Sequence, residues 1–267
     1  MPDDATDDLV TRILAEQDAY RAEPPSALPR LLRGVSGPIH ALTHRLIPAE
    51  AVETAIRGAD WVASATIRQA AVSHDFTDLA ACEEAAAEVR RWALGYAVTG
   101  GGAAGAFGLV GLALDIPATV GLALRTARLT GLCYGFGDAT EGERVYILDI
   151  LMLAGANSPA ERAAALDRLR MERSTLPRES FDRIVRMTGQ TAASRTAAKR
   201  VASVLGVNLS TRKAAQIAPF IGAAVGAGVN ASFQNDVARA ARHAFRDRWL
   251  AQNEGIVDAR PTEVQEA

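Results

Sequence analysis

The chain has 267 residues, with 29 basic and 31 acidic side chains and a formal net charge of -2. This near-neutral balance excludes the overall positive charge typical of a general nucleic-acid binder, and the length fits one large domain with a substantial core. Alanine is abundant and aromatic residues make up only 5% of the chain, so we expect a core of small and aliphatic side chains packed between helices.

The N-terminal residues 1–28 begin acidic and end near Pro24 and Pro25, which predicts a mobile arm with one short amphipathic stretch at residues 9–20. The first eight residues have neither the basic nor the apolar region of a signal peptide. Cys82 and Cys133 each fall within an apolar helical pattern. We therefore expect a cytoplasmic protein with two buried cysteines and no disulfide bond.

Spacing and capping signals predict most of the amphipathic helices. Thr140 precedes Glu143 by three residues, and the same spacing recurs at Ser158 and Glu161. These are capping boxes, so a helix is expected to begin at each. The last helix has Arg239, Arg242 and Arg246 opposite its apolar face. Apolar periodicity predicts further helices at residues 48–67, 78–93, 178–187 and 236–250, and residues 253–267 form a polar tail.

Two long segments with almost no charge are the most informative feature. Residues 93–124 carry only Asp115, and residues 214–235 carry no charged side chain. The sequence Asp115-Ile116-Pro117 predicts that the first segment is two helices joined there, with Asp115 capping the second. That second helix is expected to run through Arg125 and to stop at Gly135.

Glycines recur four residues apart in both segments, which lets helix backbones approach each other closely. A helical glycine costs about 1 kcal/mol relative to alanine, so this pattern requires close packing or lipid as compensation. A buried hairpin is favoured over membrane insertion because large apolar side chains are few. The predicted fold is therefore all-α, a single compact domain over residues 29–252 built around two glycine-rich apolar helical hairpin elements. The helix-packing glycines are Gly101, Gly105, Gly222 and Gly226.

The order of these features resembles the EcsC family. The resemblance rests on Asp115-Ile116-Pro117, a helix ending in CYGFG at residues 133–137, a basic helix, PFIGAAVGAGVNASF at residues 219–233 and a terminal HAFRDRWL. It extends over roughly residues 35–250. The family is named for a protein encoded beside a bacterial ABC exporter and has no established activity. The resemblance therefore implies a fold and a genomic context, with ABC exporter components as candidate partners.

Four polar residues fall inside or beside the uncharged segments. We expect Asp115 to cap a helix, Arg125 to form an ion pair with a carboxylate, and Asn230 to form a hydrogen bond between two helices. In the alternative, these residues and Tyr134 line a small polar site for lipid or an apolar ligand. Asp115 is then the candidate catalytic base of a hydrolase. No Gly-x-Ser-x-Gly elbow or phosphate-binding loop supports an enzyme.

The metal and charge patterns leave three functions open. His40 and His44 form the one candidate metal pair, but no third ligand is evident, so no metal or other cofactor is expected.

Residues 161–213 have an excess of basic side chains, which form a solvated helix face or, alternatively, contact anionic lipid at the inner face of the cell membrane. Nucleic acid is disfavoured because no aromatic side chains interleave these charges. The leading hypothesis is a membrane-associated accessory protein that binds lipid or an apolar ligand, and the alternatives are a hydrolase-like enzyme and a protein-binding helical scaffold. The membrane-facing candidates are Arg195, Lys199, Arg200, Arg212 and Lys213.

Overall fold

The computed structural model describes residues 4–24, 74–106, 108–137, 140–175, 200 and 222–253, and the side chains of residues 8–24, 74–99, 118–137, 140, 142–173, 200 and 227–253. Every regular element in these ranges is an α-helix, which confirms the predicted all-α single domain. The helices are α1 (Asp4–Ala22), α2 (Leu79–Ala106), α3 (Gly108–Cys133), α4 (Glu141–Gly155), α5 (Pro159–Thr175) and α6 (Gly222–Gln252).

Helices α2 and α3 form an antiparallel hairpin. Glu83 of α2 meets Tyr134 at the end of α3, and Trp92 meets Arg125, nine residues further along each helix. The predicted turn at Asp115-Ile116-Pro117 is wrong, because α3 begins at Gly108 and continues through these residues. A proline inside a helix costs about 3 kcal/mol, which the packing of α3 along both α2 and α6 outweighs. Asp115 therefore caps no helix.

The end of α3 is confirmed as predicted. Gly135 has φ 80°, a left-handed conformation that suits glycine, and its N–H donates to Leu132 O at 3.0 Å. The N–H of Phe136 donates to Gly131 O at 2.9 Å. These two bonds are a Schellman motif, which satisfies the last carbonyls of the helix and turns the chain towards α4.

Helix α6 lies at the centre of the fold and packs on α1, α2, α3 and α4. It begins at Gly222, so the predicted start near Asp236 is corrected, and part of the second uncharged segment continues directly into the C-terminal helix. The ring of Phe245 lies between those of Phe136 and Tyr146, with centroids 5.9 and 5.6 Å away. A Cβ added at Gly131 would lie 2.7 Å from Phe245 Cζ, so α3 and α6 approach closely here.

Both predicted capping signals are confirmed. Thr140 Oγ1 accepts from the N–H of Glu143 at 3.2 Å, and Ser158 Oγ accepts from that of Glu161 at 3.2 Å. The Glu143 carboxylate binds Arg248 of α6 through two hydrogen bonds of 2.6 and 2.7 Å. The start of α4 is thereby joined to the central helix by a buried bidentate ion pair.

The N-terminal residues differ from the predicted mobile arm over 1–28. Asp4–Ala22 form helix α1, and its side chains Val10, Ile13 and Tyr20 are buried in the main core. The amphipathic stretch recognised at residues 9–20 is the part that packs. Apolar burial along one face holds this helix against α6.

Candidate functional site

An exposed apolar patch lies on α2 where the charged part of the helix ends. Trp92, Tyr96 and Val98 are 42%, 54% and 48% exposed, and the two ring centroids lie 4.0 Å apart. We call these three residues the aromatic collar. From Trp92 to its end at Ala106, α2 carries no charged side chain. The collar therefore marks the border between a charged and an uncharged half of α2.

Arg125 of α3 lies against this collar. Its guanidinium carbon is 4.9 Å from the centroid of the Trp92 ring, and its Nε has no hydrogen-bond partner in the described part of the chain. The predicted carboxylate partner is not found there, since the contact is with an aromatic face instead. A guanidinium held over a tryptophan retains donors for an anionic group.

Asn230 bridges two helices, as predicted. It lies buried on α6, and its Oδ1 accepts a hydrogen bond from Thr119 Oγ1 of α3 at 3.4 Å. One turn later, Gln234 Nε2 donates to Thr119 O at 2.9 Å. These side chains satisfy one another between α3 and α6, which is a structural role.

Tyr134 belongs to a largely buried cluster at the open end of the hairpin, which we call the Glu83 cluster: Glu16, Glu83, Tyr134, Arg242 and Arg246. The Glu83 carboxylate accepts from Tyr134 Oη and from Arg246 through Nε at 2.7 Å and Nη2 at 2.5 Å. Arg242 Nε donates to Glu83 at 2.6 Å, and Arg246 Nη1 donates to Glu16 at 3.0 Å.

The arginines of α6 that the sequence places opposite its apolar face do not all lie in solvent. Arg246 is completely buried, because Glu83 of α2 and Glu16 of α1 supply the opposite charge. The sequence held one signal of this. Glu83 lies four residues after Leu79 and three before Ala86, both buried, and so falls on the apolar face of α2.

The pKa values of Glu83 and Tyr134 are shifted in opposite directions. Burial alone would raise the pKa of Glu83, but the hydrogen bonds and charges of Arg246 and Arg242 outweigh it and hold that pKa below its usual value. Burial and the neighbouring Glu83 carboxylate raise the pKa of Tyr134 well above 10. The cluster is thus a fixed network of ion pairs that links α1, α2 and α6, rather than a proton-transfer site.

The predicted polar residues do not converge on one pocket. Thr119, the partner of Asn230, is 14 residues from the end of α3 at Cys133, which is about 21 Å along a helix and far from Tyr134. Asp115 lies in α3, and its side chain is outside the described residues. A shared ligand site of these four residues is therefore not formed by the three whose side chains are described.

The remaining candidates are only partly placed. Gly101 and Gly105 lie in α2 and Gly222 and Gly226 in α6, the two helices with the most extensive mutual contact. Arg200 is exposed. The described residues do not include Arg195, Lys199, Arg212, Lys213, His40, His44 or the predicted helices at 48–67 and 178–187.

Cys82 and Cys133 are free and buried, as predicted, and burial raises the pKa of each thiol to about 12. Within the described ranges, no group of three or more His, Cys, Asp or Glu side chains is arranged to hold a metal ion. No helix among the described residues combines the length and the apolarity needed to cross a membrane.

Comparison with known proteins identifies the family. The family model described as the EcsC protein family matches residues 25–250. This chain belongs to the EcsC family. A curated relative, the uncharacterised protein YdbA of Bacillus subtilis (strain 168), is 29% identical over 154 residues, which is 57% of this chain and 52% of YdbA. The chain thus spans about half the length of the curated relative it matches. No solved structure gives a significant match.

Proposed function

We propose that this EcsC-family protein is a membrane-associated accessory protein that binds an anionic lipid surface through the aromatic collar and the hairpin beyond it. The observation that carries the proposal is the exposed Trp92 and Tyr96 pair, placed where α2 loses its charge and flanked by Arg125. Tryptophan and tyrosine favour the boundary between lipid headgroups and acyl chains, since each has an apolar ring and a polar tip.

The length of the uncharged part of α2 fits one lipid leaflet. From Tyr96 to Ala106, α2 advances ten residues, which at 1.5 Å per residue is about 15 Å. That is about half the thickness of a bilayer hydrocarbon core. The helices satisfy their own backbone hydrogen bonds, so insertion to this depth would leave few unpaired polar groups.

Basic side chains lie beside the collar where lipid headgroups would be. Arg125 stacks on Trp92, and the exposed Arg91 immediately precedes Trp92 in α2. Each basic side chain close to an anionic membrane contributes about 1 kcal/mol of attraction, which salt weakens. The proposal therefore requires binding that depends on both anionic lipid and ionic strength.

Vesicle co-sedimentation of the full chain tests this proposal. The wild-type protein is expected to sediment with vesicles of phosphatidylcholine and phosphatidylglycerol at low salt, and less at high salt or with phosphatidylcholine alone. Replacing both collar rings (Trp92→Ser with Tyr96→Ser) should weaken partitioning by about tenfold or more, because two aromatic side chains no longer leave water. The matched control is Met171→Ser, which removes a 62% exposed apolar side chain from α5.

Equal partitioning of the collar variant, the Met171→Ser control and the wild-type protein would exclude the collar as the membrane-binding surface. Failure of all three to sediment, together with concentration-dependent self-association in light scattering, would favour the scaffold alternative. The hydrolase alternative rests on Asp115 alone. Association with ABC exporter components stays a prediction from the genomic context of the family.

A further inference from the structure

A polar cleft of about 260 Å³ lies on a different part of the molecule from the collar. It is bounded by the end of α1, the end of α4, the first turn of α5 and the middle of α6. Polar side chains account for most of its lining, in contrast to the apolar interior of the helix bundle. Its size suits a small polar molecule or a single lipid headgroup.

The most unusual group in this cleft is Arg162, which is 8% exposed. Its Nη2 donates to Tyr20 O at 2.6 Å, and its guanidinium carbon lies 4.3 Å from the centroid of the Tyr20 ring. Its Nε is buried and has no hydrogen-bond partner among the described residues. A buried guanidinium normally satisfies its five donors, so this one has capacity for a further acceptor.

A second arginine approaches the same tyrosine. Arg239 of α6 lies 5.4 Å from the centroid of the Tyr20 ring and binds the Glu23 carboxylate through Nη1 at 3.0 Å and Nη2 at 2.5 Å. The side chain of Glu23 is 41% exposed and follows directly after α1. The Glu23 carboxylate thus shows that Arg239 binds an oxyanion at this cleft, where a ligand could compete with it.

We propose that this cleft binds the phosphate group of a small molecule or lipid headgroup between Arg162 and Arg239. Guanidinium groups bind phosphate oxygens through paired hydrogen bonds, and Arg162 has donors left to give. Ser232 and Asn235 add polar side chains on the α6 wall. Glu23 and Asp236 balance the two arginines in charge, so a phosphate group must displace Glu23 from Arg239, and a polyanion such as nucleic acid is disfavoured.

The position of the cleft makes both sources of phosphate accessible. Asn235 on its wall accepts a hydrogen bond of 2.9 Å from Arg90 Nε, and Arg90 lies two residues before Trp92 of the collar. The cleft therefore lies near the level of the collar along α2. A headgroup from a bound membrane and a soluble phosphate monoester could each reach this level.

Titration calorimetry of the full chain with glycerol 3-phosphate, and with inorganic phosphate as the minimal probe, tests the site. We expect Arg162→Gln to weaken binding about tenfold or more, since charge-assisted hydrogen bonds are lost. The matched control Arg170→Gln removes an exposed arginine from the same helix, one that does not line the cleft, and should bind as the wild-type protein does. Glu23→Gln should bind several-fold more tightly because it removes the competing carboxylate.

If Arg162→Gln fails to fold, the phosphate affinity of Glu23→Gln relative to the wild-type protein still tests the site. Equal affinity in the wild-type protein and the Glu23→Gln variant, or no heat with either phosphate probe, would overturn the site. Competition by phosphatidic acid vesicles, but not by phosphatidylcholine vesicles, would identify a lipid headgroup as the source. Binding of glycerol 3-phosphate without such competition would identify a soluble phosphate, and it would stand even if the collar binds no membrane.

Discussion

The two ends of the α2–α3 hairpin are stabilised in opposite ways. At the open end, the Glu83 cluster joins α1, α2 and α6 through buried charges, with Arg246 wholly enclosed. Beyond the collar, α2 has no charge, and alanine and glycine predominate as far as Ala106. The open end therefore depends on specific ionic partners, whereas the composition of α2 beyond the collar offers none.

Under the proposed function, the open end has a structural role and the collar a membrane-binding one. A buried ion pair in an apolar setting adds little net stability compared with an apolar equivalent, yet it is costly to break, so it fixes which helices meet. The uncharged end carries the exposed aromatic rings and has no such constraint. Four substitutions probe the contrast, from the largest expected effect to the smallest.

Glu83→Gln should have the largest effect, because it removes the carboxylate that pairs with both Arg242 and Arg246 and leaves the buried Arg246 only the partly exposed Glu16 as an acidic partner. We expect a loss of about 3–5 kcal/mol in the free energy of unfolding, measured by urea denaturation. Glu16→Gln is the matched control, since Glu16 is 43% exposed and should contribute little.

The difference in stability between the wild-type protein and Glu83→Gln should depend on pH. The pKa of Glu83 is held below its usual value, so its contribution to stability is present above about pH 4.5 and is lost as the pH falls through the folded-state pKa. The gap between wild type and Glu83→Gln should therefore narrow in acid. A gap that stays constant down to acid unfolding would argue against an ionised Glu83 in the core.

Gly131→Ala tests the close approach of α3 and α6 at the same end. The added methyl would meet the ring of Phe245, which is itself enclosed by Phe136 and Tyr146, so we expect a loss of about 1–3 kcal/mol despite alanine's higher helix propensity. Gly95→Ala, in the half of α2 beyond the collar's first ring, meets nothing within 4 Å and should gain about 0.5–1 kcal/mol. Thermal unfolding of both variants measures the two effects. Similar shifts would mean that the helices are not in tight contact at Gly131.

Local signals in the sequence were sufficient to predict the helices and several of their ends. Thr140, Ser158 and Gly135 act through the backbone of their own helix, so their roles could be predicted without a tertiary structure. Pro117 could not be interpreted in that way. It is a strong local signal for a break, but packing against α2 and α6 keeps the helix continuous.

The candidate site was less predictable because its members are brought together from distant helices. Glu83 and Glu84 are adjacent and chemically identical, and the spacing to Leu79 and Ala86 places Glu83 on the apolar face of α2 without revealing its arginine partners on α6. Arg162 lies in a helix start that the capping box does reveal, but its contact with Tyr20 spans 142 residues of sequence. Of the four polar residues singled out from the uncharged segments, Asn230 was correctly expected to bond across a helix pair.

His243 offers a smaller effect with a defined pH direction. Its ring stacks on Tyr20 with centroids 3.9 Å apart, and burial together with the nearby arginines lowers its pKa from 6.5 to about 2. The unfolded chain binds a proton that the native protein does not, so stability should fall as the pH falls below about 6.5. His243→Phe should remove up to about 1.4 kcal/mol per pH unit of this dependence between about pH 6 and pH 5, measured by denaturation at each pH. Parallel slopes for the two proteins would show that the native histidine is protonated.

Asp115→Asn gives the smallest expected effect and addresses the far end of the hairpin. The contacts of Glu83 with Tyr134 and of Trp92 with Arg125 set an antiparallel register, and the same register continued for ten residues places Asp115 opposite Gly102. Gly102 lies six residues beyond Tyr96, about 9 Å further along α2, so membrane insertion of the hairpin would place position 115 deeper than the collar. Removing a charge near the interface should strengthen partitioning into phosphatidylglycerol vesicles by several-fold, or about 1 kcal/mol. A hydrolase with Asp115 as its base requires the opposite outcome, loss of turnover with vesicle binding unchanged, so this substitution separates a hairpin that enters lipid from one whose carboxylate works inside the fold.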